Sequence, residues 1–355
     1  MKETRSFRVK NVSRTIALPA VAAMMLFIAG TVRRAAAQTA PSQASADKPP
    51  ATTFDPATDK LDRTQAGPIT RPMIVEIAYK TYFLNEFGMD GQYLLVGTRR
   101  ALLIDTGSGF YNLKGTVEKL TSLPYDVAIT HGHPDHAGGM RQFDTVWINP
   151  ADVAMAKSHT EEGAKRYGEI LWNMPIGYRH VWGYTPADAR WGAWDKHPVI
   201  KPLHDGQTFD LGSGRIVAVY HTPGHTPGSS VFLDRKTRIL FTGDAANPNL
   251  LAAALPLSTT LRSLLKIKSL QPEYDRIYNG HTAYAGTLDA FAQDPHVLDD
   301  LIANCRGILR GTIKGKSAPN FLFPGRKDTV SVYGSAQIHF DPDKLWAPGE
   351  PHVSP

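Results

Sequence analysis

The stretch Thr130-His131-Gly132-His133-Pro134-Asp135-His136 decides how this chain is read. It sets three imidazoles and a carboxylate at consecutive or alternate positions, a density that a bound cation explains better than a solvated polar loop does. His131 and His133 stand two apart, so an extended backbone turns both to one side. Pro134 ends strand pairing and bends the chain before Asp135 and His136. One short segment can therefore offer two ligands to one cation and two to a neighbour. Imidazole and carboxylate without thiolate suit zinc, and also iron or manganese.

Working outward, Asp126–Thr130 reads as a buried strand that delivers the run at its carboxyl end, and Gly138-Gly139 permits a tight turn after it. The same arrangement recurs with other polar residues. Ala101–Ile104 ends in Asp105-Thr106-Gly107. Arg215–Tyr220 ends in His221-Thr222-Pro223-Gly224-His225-Thr226-Pro227-Gly228. Arg238–Phe241 ends in Thr242-Gly243-Asp244, and Arg276–Tyr278 in Asn279-Gly280-His281. Strands that stop in Gly/Pro turns carrying His or Asp place functional groups on loops held by a rigid sheet. Met73–Tyr79, Gln92–Val96 and Thr145–Ile148 also read as strands. Asn112–Leu120, Ser258–Leu270 and Thr287–Ile308 read as helices. Strand clusters with interspersed helices predict two sheets packed face to face with helices outside.

These residues, in this order and spacing, resemble the metallo-β-lactamase fold superfamily of metal-dependent hydrolases, from about residue 73 to about 305. The resemblance implies the α+β class and a four-layer αββα sandwich. It implies that His131, His133 and His225 hold a first metal, that Asp135, His136 and His281 hold a second, and that Asp244 bridges them. The cofactor it implies is a pair of divalent ions, zinc foremost, with iron or manganese as alternatives. Position 244 is aspartate, with no cysteine ligand beside it, as in the lactonases, hydroxyacylglutathione hydrolases and phosphodiesterases of the fold. Position 133 is histidine where the diiron oxygen reductases of the fold carry glutamate, which points to hydrolysis.

The chemistry implied is attack by a metal-activated hydroxide on an ester, lactone, thioester or amide, a β-lactam included. Asp135 is the candidate catalytic residue, aiding departure of the leaving group. Ser229 and Ser230 lack the setting of a nucleophile elbow. Two alternatives stand beside hydrolysis: a mononuclear iron sulfur-dioxygenase using His131, His225 and Asp244, and a metal-binding protein without turnover. Asp105 reads either as a brace for the metal loop or as a turn cap. His221 reads as a structural hydrogen-bonder. His159, His180, His197, His204, His296, His339 and His352 have no ligand spacing and read as surface or core residues.

The chain has 355 residues, enough for one large domain or two ordinary ones. Its net charge is +6. Residues 1–37 carry seven basic residues against Glu3, a surplus equal to the charge of the whole chain. The remainder is neutral, which removes the compositional case for nucleic-acid binding. The same segment has the order of a secretory signal: basic residues up to Arg14, an apolar run from Ile16 to Val32, then Ala35-Ala36-Ala37 before Gln38. Cleavage there predicts a periplasmic or secreted protein with no stable membrane association; an uncleaved anchor is the alternative, favoured by Arg33-Arg34.

Residues 38–71 read as a linker, 72–310 as the metal-binding domain and 311–355 as an extension. The single cysteine, Cys305, excludes an internal disulfide and reads as a packed small residue. Within the domain, an insertion at about 157–200 holds Trp172, Trp182, Trp191 and Trp194 with Tyr167, Tyr178 and Tyr184. It reads equally as a pocket wall for an apolar substrate and as a satellite core. In the extension, Val330–Tyr333 and Ala336–Phe340 predict a hairpin that adds edge strands to the sandwich or pairs chains. The expected partner is a small-molecule substrate, whose binding residues the sequence does not name, and the oligomeric state stays open.

Overall fold

A computed structural model of the protein describes residues 73–86, 90–172, 192–281, 292–320 and 325–350. The segments read as signal and linker lie outside the described residues, as do His180, His352 and the middle of the aromatic insertion.

The first sheet has seven strands in sequence order. Strands β1 (Met73–Ala78), β2 (Thr81–Glu86), β3 (Asp90–Val96) and β4 (Ala101–Ile104) form an antiparallel meander. Strands β5 (Tyr125–Ala128), β6 (Thr145–Ile148) and β7 (Val199–Pro202) continue it in parallel. Helix α1 (Leu113–Leu120) crosses between β4 and β5, capped by the Asn112 side chain on Gly115 N. The short α2 (Pro134–Ala137), α3 (Val153–Lys157) and α4 (Glu161–Trp172) follow β5 and β6.

The second sheet comprises β8 (Thr208–Gly212), β9 (Arg215–His221), β10 (Ser230–Asp234), β11 (Ile239–Gly243) and β13 (Arg276–Asn279). It is antiparallel except for the parallel β11–β13 pair. Alternation along β10 shows how both faces are buried. Phe232 joins Val219, Phe241 and Tyr93 between the two sheets. Val231 and Leu233 face the opposite way, onto α5 (Leu257–Ser269) and α6 (His296–Leu309). Helix, sheet, sheet, helix is the expected sandwich. Cys305 is fully buried in α6, and burial pushes its thiol up to about 12, which suits a packing residue.

Three expectations need correction. The last helix begins at His296 rather than Thr287: Ala292–Asp294 are irregular, and Gln293 instead bonds Ile277 O and Asn279 Nδ2. Strands β2, β7, β8, β10, β12 and β14 were not predicted; β10 is buried on both faces, so it lacks polar alternation. The predicted hairpin forms as β15 (Lys327–Tyr333) and β16 (Ala336–Phe340), but it extends neither main sheet. It joins β14 (Lys316–Pro319) and β12 (Asn249–Leu251) in a third, four-stranded sheet of order β12-β16-β15-β14. That sheet packs Ala336, Ile338 and Phe340 into the core around α6.

Arg215 ties the two main sheets together. Its guanidinium meets Asp234 Oδ2 at 2.7 Å within sheet two. It also donates to Thr81 Oγ1 at 2.6 Å and to the Val96 carbonyl at 2.9 Å in sheet one. Asp234→Ala would strand this buried cation, and we expect a loss of about 3–5 kcal/mol in unfolding free energy, measured by denaturant titration.

Candidate metal centre

Five strands end at one edge of the sandwich. Parallel pairing of β4 with β5, and of β11 with β13, sends their carboxyl ends the same way. Asp105 follows β4, the 131–136 run follows β5, His225 sits in the β9–β10 turn, Asp244 follows β11 and His281 follows β13. The Ser230 N–H donates to the Thr130 carbonyl at 2.9 Å and joins the two sheets at this edge. Pro134 opens α2 at its first turn, with His133 as the cap residue, so the bend predicted from the proline is a helix start.

All seven predicted residues converge. His131 Nε2 lies 3.1 Å from His133 Nδ1 and 3.2 Å from His225 Nε2, and His225 Nε2 lies 2.8 Å from His133 Nδ1. Burial holds His131 and His225 below the ordinary imidazole range and takes His133 down to about 3. Three neutral nitrogens then face one another with nothing to share but lone pairs. Their separations approach the edge of about 3.3 Å that a tetrahedron has when its centre-to-nitrogen bond is about 2.0–2.1 Å, the zinc–imidazole length.

The second cluster is Asp135, His136 and His281. Asp244 Oδ2 lies between the clusters, 3.1 Å from His281 Nε2, 3.7 Å from His136 Nε2 and 3.6 Å from His225 Nε2. Burial alone would lower His136, but the Asp135, Asp244 and Asp105 carboxylates outweigh it and raise its pKa. Burial opposes charge on His281 too, yet Asp244 lifts it to about 8. Burial works against ionising Asp135 and Asp244 as well; their histidine neighbours overcome it and hold both below the usual carboxylate range. The carboxylates thus favour positive charge at this spot, which a divalent cation supplies. His136 Nε2 and Asp244 Oδ1 are buried with no hydrogen-bond partner among the described residues, a cost that coordination removes. Gly280 leaves the room: a Cβ there would strike the His136 ring and the Asp244 carboxylate. The donor set fits a pair of divalent cations.

The surroundings orient the ligands. Asp105 Oδ2 accepts from His136 Nδ1 at 2.9 Å and from Thr130 Oγ1 at 2.9 Å, while Oδ1 accepts from Thr130 N at 2.7 Å. Of its two readings from sequence, brace or turn cap, these bonds favour the brace, and its backbone is held at φ +65, a region aspartate tolerates better than most residues. His221 Nε2 bonds the Pro227 carbonyl at 2.9 Å, the structural role expected.

Other supports were not foreseen. Asp152 is fully buried; its oxygens accept from Gly132 N at 2.9 Å, Thr226 Oγ1 at 2.6 Å and Gly228 N at 2.8 Å, tying the two loops of the first cluster. His159 Nε2 donates to the Gly132 carbonyl at 2.6 Å. Glu86, which burial pushes up to about 7, accepts from Ser108 N and Phe110 N and fixes the loop after Asp105. Tyr167 in α4 donates to Asp135 Oδ2 at 3.0 Å. The insertion therefore reaches the site at two described residues, His159 and Tyr167, while Trp194 stacks on Arg141.

The pattern of the metallo-beta-lactamase superfamily matches residues 92–281. The chain belongs to that superfamily. Among its relatives, the acyl-coenzyme A thioesterase MBLAC2 of Gallus gallus is 29% identical over 199 residues, which cover 52% of this chain and 67% of the chicken protein. The atrochrysone carboxyl ACP thioesterase of Aspergillus fumigatus is 29% identical over 182 residues, covering 50% of this chain and 34% of that one. A superfamily member of known structure, from Thermus thermophilus, is 21% identical, with 66% of this chain and 82% of that one aligned at a TM-score of 0.45.

Removing the Asp105 carboxylate would free the His136 ring. We expect Asp105→Ala to weaken cation binding by about 10–100-fold in chelator competition.

Proposed function

We propose that the protein is an exported, dinuclear zinc hydrolase that cleaves acyl thioesters. The convergence of seven donors, in two clusters joined by a third group of His131, His136 and Asp244, carries the reading. His131, His133 and His225 would hold one cation, Asp135, His136 and His281 the other, with Asp244 between them. When bound, such ions act as Lewis acids and lower the pKa of a bound water from about 15.7 toward about 7.

The protein's own groups do the rest. His131, His133 and His225 present neutral nitrogens in the first cluster, whereas Asp135 and Asp244 bring ionised carboxylates to the second. Asp135 lies partly exposed, 13% by side chain, with His281 Nε2 3.6 Å from Oδ2 and the Tyr167 hydroxyl anchoring that same oxygen. It is placed to take a proton from the attacking water and pass it to the departing group. Because Asp135 is held ionised, the only proton it can pass on is the one it takes from the attacking water. That favours a leaving group needing little protonation. A thiolate, whose thiol ionises near about 8.5, meets the requirement far better than an amine. The two thioesterase relatives support the same substrate class. Export is supported by the signal-like order of residues 1–37; no helix among the described residues is long and apolar enough to cross a membrane.

Hydrolysis of acyl-coenzyme A, followed by release of free thiol, tests the proposal. We expect activity that a chelator abolishes and zinc restores, and that His133→Ala and Asp244→Ala each reduce to background. Turnover that survives both substitutions contradicts the mechanism. Cleavage of lactones or a cephalosporin but not thioesters moves the substrate class, and one iron per chain with oxygen consumption favours the dioxygenase.

A further inference from the structure

Leu251 and Ala252 share one peptide group, and both of its ends are engaged. Its carbonyl accepts from His225 Nδ1 at 2.9 Å. Its N–H donates to the His339 carbonyl at 2.7 Å. A peptide unit is planar, so holding the N–H aims the C=O. The holder, β16, lies beyond the last of the seven site residues and outside residues 92–281.

Strand β12 is three residues long, and β16 is its neighbour in the third sheet, with Asn249 opposite Gln337, Leu250 opposite Ile338 and Leu251 opposite His339. Beyond the peptide described, the Gln337 N–H meets the Pro248 carbonyl at 2.8 Å. Side chains lock the register. Gln337 Nε2 donates to Asn249 Oδ1 at 3.0 Å and to His339 Nε2 at 2.8 Å, and His339 Nδ1 donates to Asp328 Oδ2 in β15 at 2.8 Å.

We propose that the carboxyl-terminal sheet is a positioning element of the metal centre: β16 fixes the Leu251–Ala252 peptide, whose carbonyl keeps the His225 proton on Nδ1 and leaves Nε2 to face His131 and His133. Fixing the tautomer and ring angle of a ligating imidazole through its other nitrogen raises its affinity for a cation. The inference rests on the reading of the first cluster as a cation site.

The test uses the full chain, zinc alone and a competing chromophoric chelator, with thermal unfolding of the metal-free protein read alongside. Ala252→Pro deletes the N–H that meets His339 but keeps the Leu251 carbonyl, and proline favours the extended backbone at the preceding residue. Ser331→Ala breaks the 2.6 Å bond from Ser331 Oγ to Asn304 Oδ1, which ties the same sheet to α6 away from the peptide. We expect Ala252→Pro to weaken the first zinc by about tenfold, and Ser331→Ala to lower stability with zinc affinity unchanged. If Ala252→Pro does not fold, His339→Ala is read in its place, with an expected loss of about threefold. Wild-type zinc affinity in the folded variant overturns the proposal. A wild-type chain that binds no zinc overturns the cation-site reading instead.

Discussion

Buried carboxylates that need a counter-charge govern this molecule. Asp135 and Asp244 are held ionised in a pocket from which most water is excluded, and the imidazoles of the first cluster are held neutral a few ångströms away. Isolated carboxylates in such a place cost several kcal/mol each unless paired. Without a cation, protons on His136 and His281 supply the pairing. A divalent ion supplies it better, because it also satisfies the facing nitrogens of the first cluster. The rest of the fold keeps these groups from relaxing apart.

Rigidity comes from three layers of support. The parallel strand pairs set the direction of the loops. Asp105, Asp152 and His159 then fix the backbone of the 130–133 turn from different sides. Finally, each imidazole of the two clusters for which a partner is described is oriented through its non-facing nitrogen: His131 by Thr130 Oγ1, His136 by Asp105 and His225 by the Leu251 carbonyl. Such supports lower the entropy lost on binding a cation and fix which ring nitrogen carries the proton.

The seven site residues were legible in the sequence because their chemistry is concentrated: four fall in one run and the other three each come after a short apolar strand and a glycine or proline. The sandwich was legible for the same reason, since the polar turns at their carboxyl ends mark the strands. The supports were not. Asp152 bonds residues 20 to 76 positions away, and nothing in Asn149-Pro150-Ala151-Asp152 distinguishes it from a helix cap. His159 was set aside because it has no ligand spacing; it acts on a backbone carbonyl, which leaves no motif. The place of β16 was equally hidden, because β12 is three residues long and its pairing is parallel and remote in sequence.

The most direct measurement is the cation content of the purified, desalted protein by elemental analysis, repeated for a variant lacking both Asp135 and His281. The account predicts two zinc ions per chain, falling to one in the variant, with the first cluster still filled. Protein that retains no divalent metal and takes up none on incubation would contradict it.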